Sequence, residues 1–430
     1  ISAASAESPV LYVDADAPPG GDGGSWGTAY RDLQEALASA ECSLGLVEEI
    51  WVAEGIYRPD RGTGLRESTF QLQDDLALYG GFAGTETSRD ERNPSLHPTI
   101  LSGDVSDIGT TGDNVYHVVS VGMTTGAVVD GFVIRDGNAN GLISTPRAFG
   151  AGAYSAGGFA QFTGCTFVAN LAAYGGGAHA ELGGELRLTK CDFKGNSAAV
   201  DGGAVSAGQG ATVYVERCRL VENTAGRYGG AAYASISGMH ITDSVLIGNV
   251  GGWGGGAYFA SGFGSMAGCT LYRNRAIQVT GHTGGLLSDF SNVDVSNSIF
   301  WNNTDPTGTS ESTQVSGSFL NLNYSILGAW AGGLGGVGNS GSDPLFTDPL
   351  GSDGVAGTMD DDVRPGSGSP ALGAGDPAVA PVAGEVDIDG SPRVLCGRID
   401  IGAYEAGWGD FNCDGLIELS DGAGWADCLT

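Results

Sequence analysis

The stretch GCTFVANLAAYGGGAHA, residues 164–180, sets a pattern that the chain then repeats. A small residue, a short apolar run, an asparagine and a glycine pair follow one another in it. The pattern returns as KCDFKGNSAAVDGGAVSA (190–207), RCRLVENTAGRYGGAAYA (217–234), DSVLIGNVGGWGGGAYFA (243–260), GCTLYRNRAIQVTGHTGG (268–285) and NSIFWNN (297–303). A fixed period of this length indicates a solenoid of stacked, similar units.

The repeats align on a small residue, and an asparagine follows it after five residues in every copy. The small residues are Cys165, Cys191, Cys218, Ser244, Cys269 and Ser298, at steps of 26, 27, 26, 25 and 29 residues. The asparagines are Asn170, Asn196, Asn223, Asn249, Asn274 and Asn303. Asparagine tolerates left-handed backbone angles, and its carboxamide can bond to the next copy in a stack. We therefore predict a structural asparagine ladder rather than a catalytic role.

The apolar runs are short and strand-like, and no helical periodicity extends through the repeat. Paired glycines supply the backbone freedom that a corner needs. These features predict an all-β fold, a right-handed parallel β-helix whose coils stack ~4.8 Å apart. Residues 50–331 would then hold about eleven coils of ~26 residues.

The column of cysteines has two interpretations. In a secreted protein the cysteines could form disulfides. Serine occupies the same column twice, however, which favours a position that needs only a small, inward-pointing side chain.

The chain divides into four predicted parts. Residues 1–49 are an N-terminal segment with an amphipathic capping helix at 28–40, which places Leu33, Ala36, Leu37 and Ala40 on one face. Residues 50–331 are the β-helix coils. Residues 332–406 are an acidic, turn-rich segment that completes and covers the C-terminal coils, and it begins with the loop GGLGGVGNSG. Residues 407–430 form a small module with a calcium loop.

Composition excludes several classes of partner. The formal net charge is −31, and lysine occurs only at Lys190 and Lys194. Nucleic acid is excluded as a partner because phosphate binding requires clustered basic residues. Anionic polysaccharides would be repelled unless calcium bridged them. No apolar run is long enough for a transmembrane helix, and the start at Ile1 predicts a processed N-terminus and secretion.

The stretch GDFNCDGLIELSD, residues 409–421, resembles an EF-hand-type calcium loop. The predicted ligands are Asp410, Asn412, Asp414, Leu416 through its carbonyl, Glu418 and Asp421. Aspartate rather than glutamate at the last position resembles a dockerin-type loop. A dockerin has two such loops and this sequence has one, so either the second half was removed or is missing from this sequence, or the module is half-length. A second candidate calcium site comprises Asp353, Asp360, Asp361 and Asp362, for which a solvated acidic loop is an equal alternative.

Three cysteines, Cys396, Cys413 and Cys428, cluster near this module. A disulfide between Cys413 and Cys428 is one possible pairing, and three cysteines allow three pairings between which the sequence does not choose.

Several phrases resemble the secreted bacterial β-helix proteins known as choice-of-anchor proteins, particularly the planctomycete type. They are YVDADAPPGGDGGSWGTAYRDLQEAL, GGFAGTETSRDERNP with TILSGD, and GSPALGAGD, DIDGSPR and DIGAYE. The resemblance covers nearly all of residues 10–406. It implies export and attachment to the cell surface through a C-terminal module.

The sequence contains no convergent catalytic set. The five histidines are scattered, and Asp130, Asp136, Asp201 and Asp243 are single acids that could serve a glycosidase. Aromatic residues recur along the coils at Tyr174, Tyr228, Trp253, Tyr258 and Trp301, where packing is favoured over sugar stacking.

We therefore expect an extracellular or cell-surface structural or adhesive protein that binds Ca2+ and can assemble head-to-tail with itself or join the matrix. The alternative is a carbohydrate-active enzyme, a polysaccharide lyase or glycoside hydrolase, or a carbohydrate-binding adhesin that uses the groove of the solenoid.

Overall fold

The computed structural model describes residues 10–43, 45–106, 108–278, 282–380, 382, 384–394 and 397–405. Within them the chain forms coils, and each coil passes through the same series of short strands. Parallel pairing between successive coils joins these strands into three long sheets. The predicted all-β parallel β-helix is confirmed.

The strands fall into four groups along the chain. The N-terminal coils contain β1 (Val10–Val13), β2 (Glu49–Ala53), β3 (Gly55–Tyr57), β4 (Phe70–Gln71), β5 (Ala77–Phe82), β6 (Thr99–Ser102), β7 (Val119–Val121), β8 (Ala127–Asp130), β9 (Phe132–Arg135) and β10 (Asn138–Ala139). The regular coils contain β11 (Ala153–Ala156), β12 (Phe159–Thr163), β13 (Thr166–Val168), β14 (Leu171–Tyr174), β15 (Ala178–Glu181), β16 (Glu185–Thr189), β17 (Asp192–Lys194), β18 (Ser197–Asp201), β19 (Val205–Gly208), β20 (Thr212–Glu216), β21 (Arg219–Val221), β22 (Thr224–Ala225), β23 (Ala232–Ser235), β24 (Gly238–Thr242), β25 (Val245–Ile247), β26 (Val250–Gly251), β27 (Ala257–Ala260), β28 (Phe263–Ala267), β29 (Thr270–Tyr272) and β30 (Arg275–Ala276). The last coils contain β31 (Leu286–Ser296), β32 (Ile299–Trp301), β33 (Val315–Asn323) and β34 (Ile326–Leu327), and β35 (Phe346–Asp348) and β36 (Asp362–Pro365) follow.

Helices are few and short in the described ranges. They are α1 (Leu33–Cys42), α2 (Glu311–Gln314) and the 3-10 turns Trp26–Thr28, Arg89–Glu91, Thr111–Asp113 and Pro146–Ala148. No described helix has both the length and the apolar character needed to span a membrane.

Each regular coil contributes two strands to sheet A, one to sheet B and one to sheet C; β11 to β14 form one such set. Sheet B has ten strands in the described part of the chain, from β3 to β34, and so the stack has about ten turns. The sequence predicted about eleven. Fewer coils fit because the N-terminal coils contain insertions, with 44 residues between the starts of β3 and β6 and 33 between those of β6 and β9.

The six aligned asparagines form a continuous hydrogen-bonded ladder from Asn170 to Asn303. At each step Nδ2 donates to Oδ1 of the asparagine in the next coil at 2.9–3.0 Å. The backbone N–H of the same residue donates to the same oxygen at 2.9–3.1 Å. All six side chains are fully buried. The ladder ends where Asn303 donates to Oε1 of Gln314, at 3.0 Å.

The cysteines of the aligned column, Cys165, Cys191, Cys218 and Cys269, are free and buried. Serine takes the same role in this column, since Ser244 Oγ accepts the backbone N–H of Cys218 at 3.0 Å. The interpretation as small inward side chains is confirmed, and disulfides within the column are excluded.

The glycine pairs lie where backbones of neighbouring coils approach closely. Gly202 has a φ of +69°, and a Cβ on Gly203 would lie 2.2 Å from the carbonyl oxygen of Gly230. A larger residue at this corner would therefore push adjacent coils apart.

The N-terminal end of the stack is covered by α1. Asp32 caps the helix by accepting the Gln34 N–H at 2.8 Å, and the predicted face of Leu33, Ala36, Leu37 and Ala40 is buried against the main core. The first strand of the stack, β1, comes before this helix in the chain and pairs in parallel with β2. The coils therefore begin at Val10, earlier than the boundary at residue 50 that the sequence predicted.

The C-terminal end is closed by the glycine-rich loop that follows β34. Trp330 and Leu334 pack against the main core, and the N–H of Ser340 donates to the carbonyl oxygen of Ser325 at 2.9 Å. The loop thereby covers the last coil.

The C-terminal segment, residues 343–405, packs along the side of the stack rather than over its end. Val363, Ala403 and Tyr404 bury Val221, Val245, Ile247 and Tyr272 of sheet B, and Ala371 and Ile401 bury Ile299 and Ile326. Strand β25 is consequently buried on both faces, which explains its uninterrupted apolar sequence. The sequence predicted a segment that completes and covers the C-terminal coils. The segment covers the outer face of sheet B in these coils, but its strands β35 and β36 pair with each other and do not extend the three long sheets.

Candidate functional site

One side of the coils stays open to solvent after the C-terminal segment has covered sheet B. It is the outer face of the second strand that each coil gives to sheet A, namely β12, β16, β20, β24 and β28. Burial alternates along these strands with a period of two, so alternate side chains point outward. The central outward positions are in register from coil to coil and hold Gln161, Arg187, Tyr214, His240 and Ser265.

Aromatic rings and one guanidinium stack along this open face. The guanidinium of Arg187 lies 4.9 Å from the ring centroid of Tyr214 and 5.7 Å from that of Phe159. The rings of Tyr214 and His240 stack at 5.1 Å and 16°, and Phe263 lies 5.9 Å beyond His240. We call these five residues, Phe159, Arg187, Tyr214, His240 and Phe263, the platform. They occupy five consecutive coils.

The outward-pointing groups of the platform have little net charge. Arg187 pairs with Glu185 at 2.7 Å, so its charge is balanced on the same strand. His240 shares a hydrogen bond of 2.8 Å with Ser265 Oγ. Burial lowers the pKa of His240, which keeps the imidazole neutral near pH 7.

A cavity of about 380 Å³ opens at the edge of the platform, between the coils and the C-terminal segment. It is lined by Glu216, Arg217, Thr242, Asp243, Ala267, Gly268, Ser296 and Asn297 of the coils and by Val379, Gly384, Glu385, Val386, Arg393 and Ile399 of the C-terminal segment. Glu216 follows Tyr214 by two residues, and Thr242 follows His240 by two. The same strands therefore lead from the platform to the cavity wall.

Asp243 is one of the two coil carboxylates that line this cavity, the other being Glu216. Its Oδ1 lies 3.2 Å from Nε of Arg393, and Nη1 of that arginine lies 2.8 Å from Glu405. Arg393 is 3% exposed and Asp243 is 14% exposed. Gly268 makes room for the pair, because a Cβ there would lie 2.3 Å from both Asp243 Oδ1 and Arg393 Nη2.

Burial perturbs both carboxylates that share Arg393. It raises the pKa of Asp243 to about 6, against the opposing effect of Arg393, and the charges of Glu385 and Glu216 raise it further. Burial likewise raises the pKa of Glu405 to about 9, again opposed by Arg393. A carboxyl group that titrates near neutrality in a cavity can exchange protons with a ligand.

The other acids named as glycosidase candidates are paired with arginines outside this cavity. Asp130 contacts Arg92 at 2.7 Å. Asp201 binds Arg227 through both oxygens, at 2.6 and 3.0 Å. Asp136 lies 3.1 Å from Arg135. Of the four candidates, the structure brings only Asp243 to the cavity.

The aromatic residues that the sequence singled out lie elsewhere. Tyr174, Tyr228 and Trp253 form a half-buried column at the corner after sheet C, and Tyr258 is buried beneath it, 4.5 Å from Tyr228. Trp301 packs against the C-terminal segment. The predicted packing role fits these positions. The platform residues Tyr214 and Phe263 were missed, although the period-two alternation of their strands was a usable signal.

The acids Asp353, Asp360, Asp361 and Asp362 do not converge on one point. Asp360 accepts hydrogen bonds from Ser352 Oγ at 2.7 Å and from the Asp353 N–H at 3.0 Å. These and further hydrogen bonds lower its pKa. Asp362 pairs with Arg364 at 3.1 Å. Across the ranges that the structure describes, no group of three or more His, Cys, Asp or Glu side chains is arranged to hold a metal ion.

The first calcium candidate lies outside the described residues. Its members are Asp410, Asn412, Asp414, Leu416, Glu418 and Asp421, and the cysteines Cys396, Cys413 and Cys428 lie outside as well. Calcium binding and the Cys413–Cys428 disulfide stay predictions.

Neither protein-family models nor curated proteins match this chain. Among solved structures, the pectate lyase Pel9A is similar with a TM-score of 0.52 and 13% identity, covering 92% of this chain and 96% of that one. The pectin methylesterase PemA from Erwinia chrysanthemi has a TM-score of 0.34 and 12% identity, covering 75% and 90%. The Escherichia coli protein ybhc has a TM-score of 0.30 and 12% identity, covering 68% and 74%. At this identity, the likeness to Pel9A shows a shared parallel β-helix fold.

Proposed function

We propose that this protein is an extracellular polysaccharide-binding β-helix and that the platform is its sugar-binding surface. The main supporting observation is the line of aromatic rings and one guanidinium that contact one another across five consecutive coils on an open side of the stack. The C–H faces of pyranose rings are apolar and pack on aromatic rings, while a neighbouring guanidinium can donate hydrogen bonds to hydroxyl groups. A regular row of such groups suits a chain ligand.

The negative charge of the protein limits the class of polysaccharide that it can bind. The whole chain has a formal charge of −31, and the single platform arginine is balanced by Glu185. An anionic polymer would be repelled over the whole surface. We therefore propose a neutral or esterified polysaccharide. The fold likeness to a structure described as a pectate lyase supports a carbohydrate ligand in general terms.

The earlier expectation of head-to-tail assembly gains no support from the described part of the chain. There α1 covers the N-terminal end of the core, and Trp330 and Leu334 cover the C-terminal end. Because both ends are covered, head-to-tail assembly is not part of this proposal. An extracellular location and calcium binding by residues 410–421 belong to the proposal, and the acidic composition supports them.

Affinity gel electrophoresis tests the proposal. Wild-type protein is run through gels that contain arabinoxylan, galactan, hydroxyethylcellulose, dextran, highly esterified pectin or alginate. We expect retardation by at least one of the five neutral or esterified polymers and none by alginate. Tyr214→Ala should weaken that interaction about tenfold, the effect of ~1.4 kcal/mol.

Phe290→Ala is the matched control, because Phe290 is an aromatic residue, 72% exposed, that lies outside the platform. It should be retarded like wild type. Equal retardation of Tyr214→Ala and wild type would contradict the proposal, as would free migration of wild type in all the gels.

A further inference from the structure

We propose that the cavity at the edge of the platform is a hydrolytic site, in which Asp243 donates a proton to a glycosidic oxygen of a polysaccharide on the platform. This inference rests on the proposed function, since the platform supplies the bound polymer.

The platform and the cavity lie a short distance apart on the same strands. Tyr214 and Glu216 are neighbouring outward positions of β20, as are His240 and Thr242 on β24. Two residues of a strand span about 6.6 Å, which is close to the size of one sugar ring. The cavity extends across the same coils beside the platform, so a polymer lying along the platform passes within about one sugar ring of the cavity.

Asp243 is held in place from one side and open from the other. Arg393 is a positioning residue, buried and shared between Asp243 and Glu405 at 3.2 and 2.8 Å. The carboxyl of Asp243 retains 14% exposure and faces the cavity. A pair that served only to fasten the C-terminal segment would require no cavity beside the carboxylate.

A second carboxylate lines the same cavity. Glu216 has a side chain that is 46% exposed, and it pairs with Arg217 at the cavity wall. Glycoside hydrolysis commonly uses two carboxyl groups, one as an acid and one that acts on water or on the sugar. Glu216 is exposed enough to contact water.

The reaction consumes one water molecule per linkage. The proton of Asp243 passes to the glycosidic oxygen as the bond from that oxygen to the anomeric carbon breaks. The Glu216 carboxylate removes a proton from water, and the water oxygen forms the new bond to the anomeric carbon. The products are two shorter chains, and proton exchange with solvent returns Asp243 to its acid form and Glu216 to its carboxylate.

The charged groups around Asp243 support this assignment. Arg393 and Glu385 face it from the C-terminal segment, and Glu216 and Arg217 face it from the neighbouring coil. Burial and the two glutamates outweigh the arginines and raise the pKa of Asp243 to about 6. A substantial fraction of Asp243 is therefore protonated in mildly acidic solution, as a general acid requires.

Reducing-end release from the same six polysaccharides, measured from pH 4 to pH 8, tests the inference. Wild type should release reducing ends from a polymer that retards it, and the rate should fall as pH rises through about 6. Asp243→Asn should lower the rate at least about 100-fold, the smallest usual contribution of a general acid. Its retardation in the affinity gel should stay that of wild type.

Glu216→Gln provides a second variant, because a half-exposed side chain can be replaced without risk to the core; its rate should also fall about 100-fold. Glu222→Gln is the control, an exposed carboxylate of the same coil outside the cavity, and it should keep the wild-type rate. Retardation of wild type without any reducing ends overturns this inference alone, as does an unchanged rate in Glu216→Gln. Free migration of wild type in every gel overturns the proposed function, and this inference with it.

Discussion

A single ladder residue connects three coils. Nδ2 of Asn223 donates to the carbonyl oxygen of Phe193 in the preceding coil at 2.9 Å and to Asn249 Oδ1 in the following coil at 3.0 Å. Its own Oδ1 accepts from both N–H and Nδ2 of Asn196. Each of these groups is buried, so each requires its partner. The carboxamide is needed here because it both donates and accepts in one plane.

Asn223→Ala should therefore destabilise the protein by about 3 kcal/mol or more, since several buried polar groups lose their partners at ~1–3 kcal/mol each. Urea unfolding followed by circular dichroism measures the change. Asn292→Ala, at an exposed position of β31, is the control and should stay within about 0.5 kcal/mol of wild type. Similar losses in the two variants would show that the ladder carries little of the stability.

Substitution of two glycines distinguishes the cost of backbone strain from the cost of a steric clash. Gly268 has φ +60° and faces Asp243 and Arg393, whereas Gly195 has φ +61° and has nothing within 4 Å of its Cβ position. Gly195→Ala should cost about 1 kcal/mol, the effect of a left-handed backbone alone. Gly268→Ala should cost about 2 kcal/mol more because it separates the buried ion pair. Equal unfolding midpoints for the two variants would contradict this account of Gly268.

At the scale of elements, the C-terminal segment depends on pH through its buried acids. Glu405 is faced by Arg393, Asp400 and Asp387, and Asp243 by Arg393, Glu385, Glu216 and Arg217. Both pKa values are raised above the ordinary 4.5 and 3.8, to about 9 and about 6. Each folded-state group thus binds its proton more tightly than the unfolded chain does. Its stabilising contribution is complete below the ordinary pKa and is lost as pH rises through the raised value.

Wild-type protein should therefore lose stability between pH 5 and pH 9, and Glu405→Gln should lose less over the same interval. Glutamine keeps an oxygen that can accept the Asp400 N–H, which Glu405 accepts at 3.0 Å. Thermal unfolding of the two proteins at pH 5, 7 and 9 measures the difference. Parallel curves would show that Glu405 does not titrate in this range.

Local patterns could be read from the sequence, and contacts between distant segments could not. The helical spacing of Leu33, Ala36, Leu37 and Ala40 predicted the buried face of α1, because that periodicity lies within one element. The asparagine ladder was predictable because a fixed period places equal residues above one another. The platform depended on which strand faces remain open once residues 343–405 have packed against sheet B. The pairing of Asp243 with Arg393 joins positions far apart in the chain, and no local pattern records it.

At the scale of the whole molecule, the described residues form a β-helix whose main core is covered at both ends. The main core, with the residues packed against it, extends from Leu11 to Leu334 and includes α1, and the ladder ends at Gln314. The predicted calcium ligands at 410–421 follow this region in sequence.

Removal of calcium with EGTA should accordingly leave the unfolding temperature of the β-helix unchanged. Calorimetric titration should show calcium binding by wild type and loss of that binding in Asp410→Ala, since carboxylate oxygens are the preferred calcium ligands. Asp353→Ala should bind calcium like wild type, because Asp353 belongs to the acids that do not converge. A large fall in the unfolding temperature with EGTA would mean that calcium supports the stack itself.

The ladder ends where Asn303 donates to Gln314 instead of to another asparagine. This arrangement has a consequence for how such proteins change in evolution. The ladder has the same donor and acceptor at every step and a separate residue to end it, so each coil meets its neighbours through equivalent contacts. Duplication of one 26-residue unit would lengthen the stack by ~4.8 Å and create an additional step of the same kind. Gene duplication and deletion can therefore adjust the length of the molecule in whole coils while its two covered ends stay as they are.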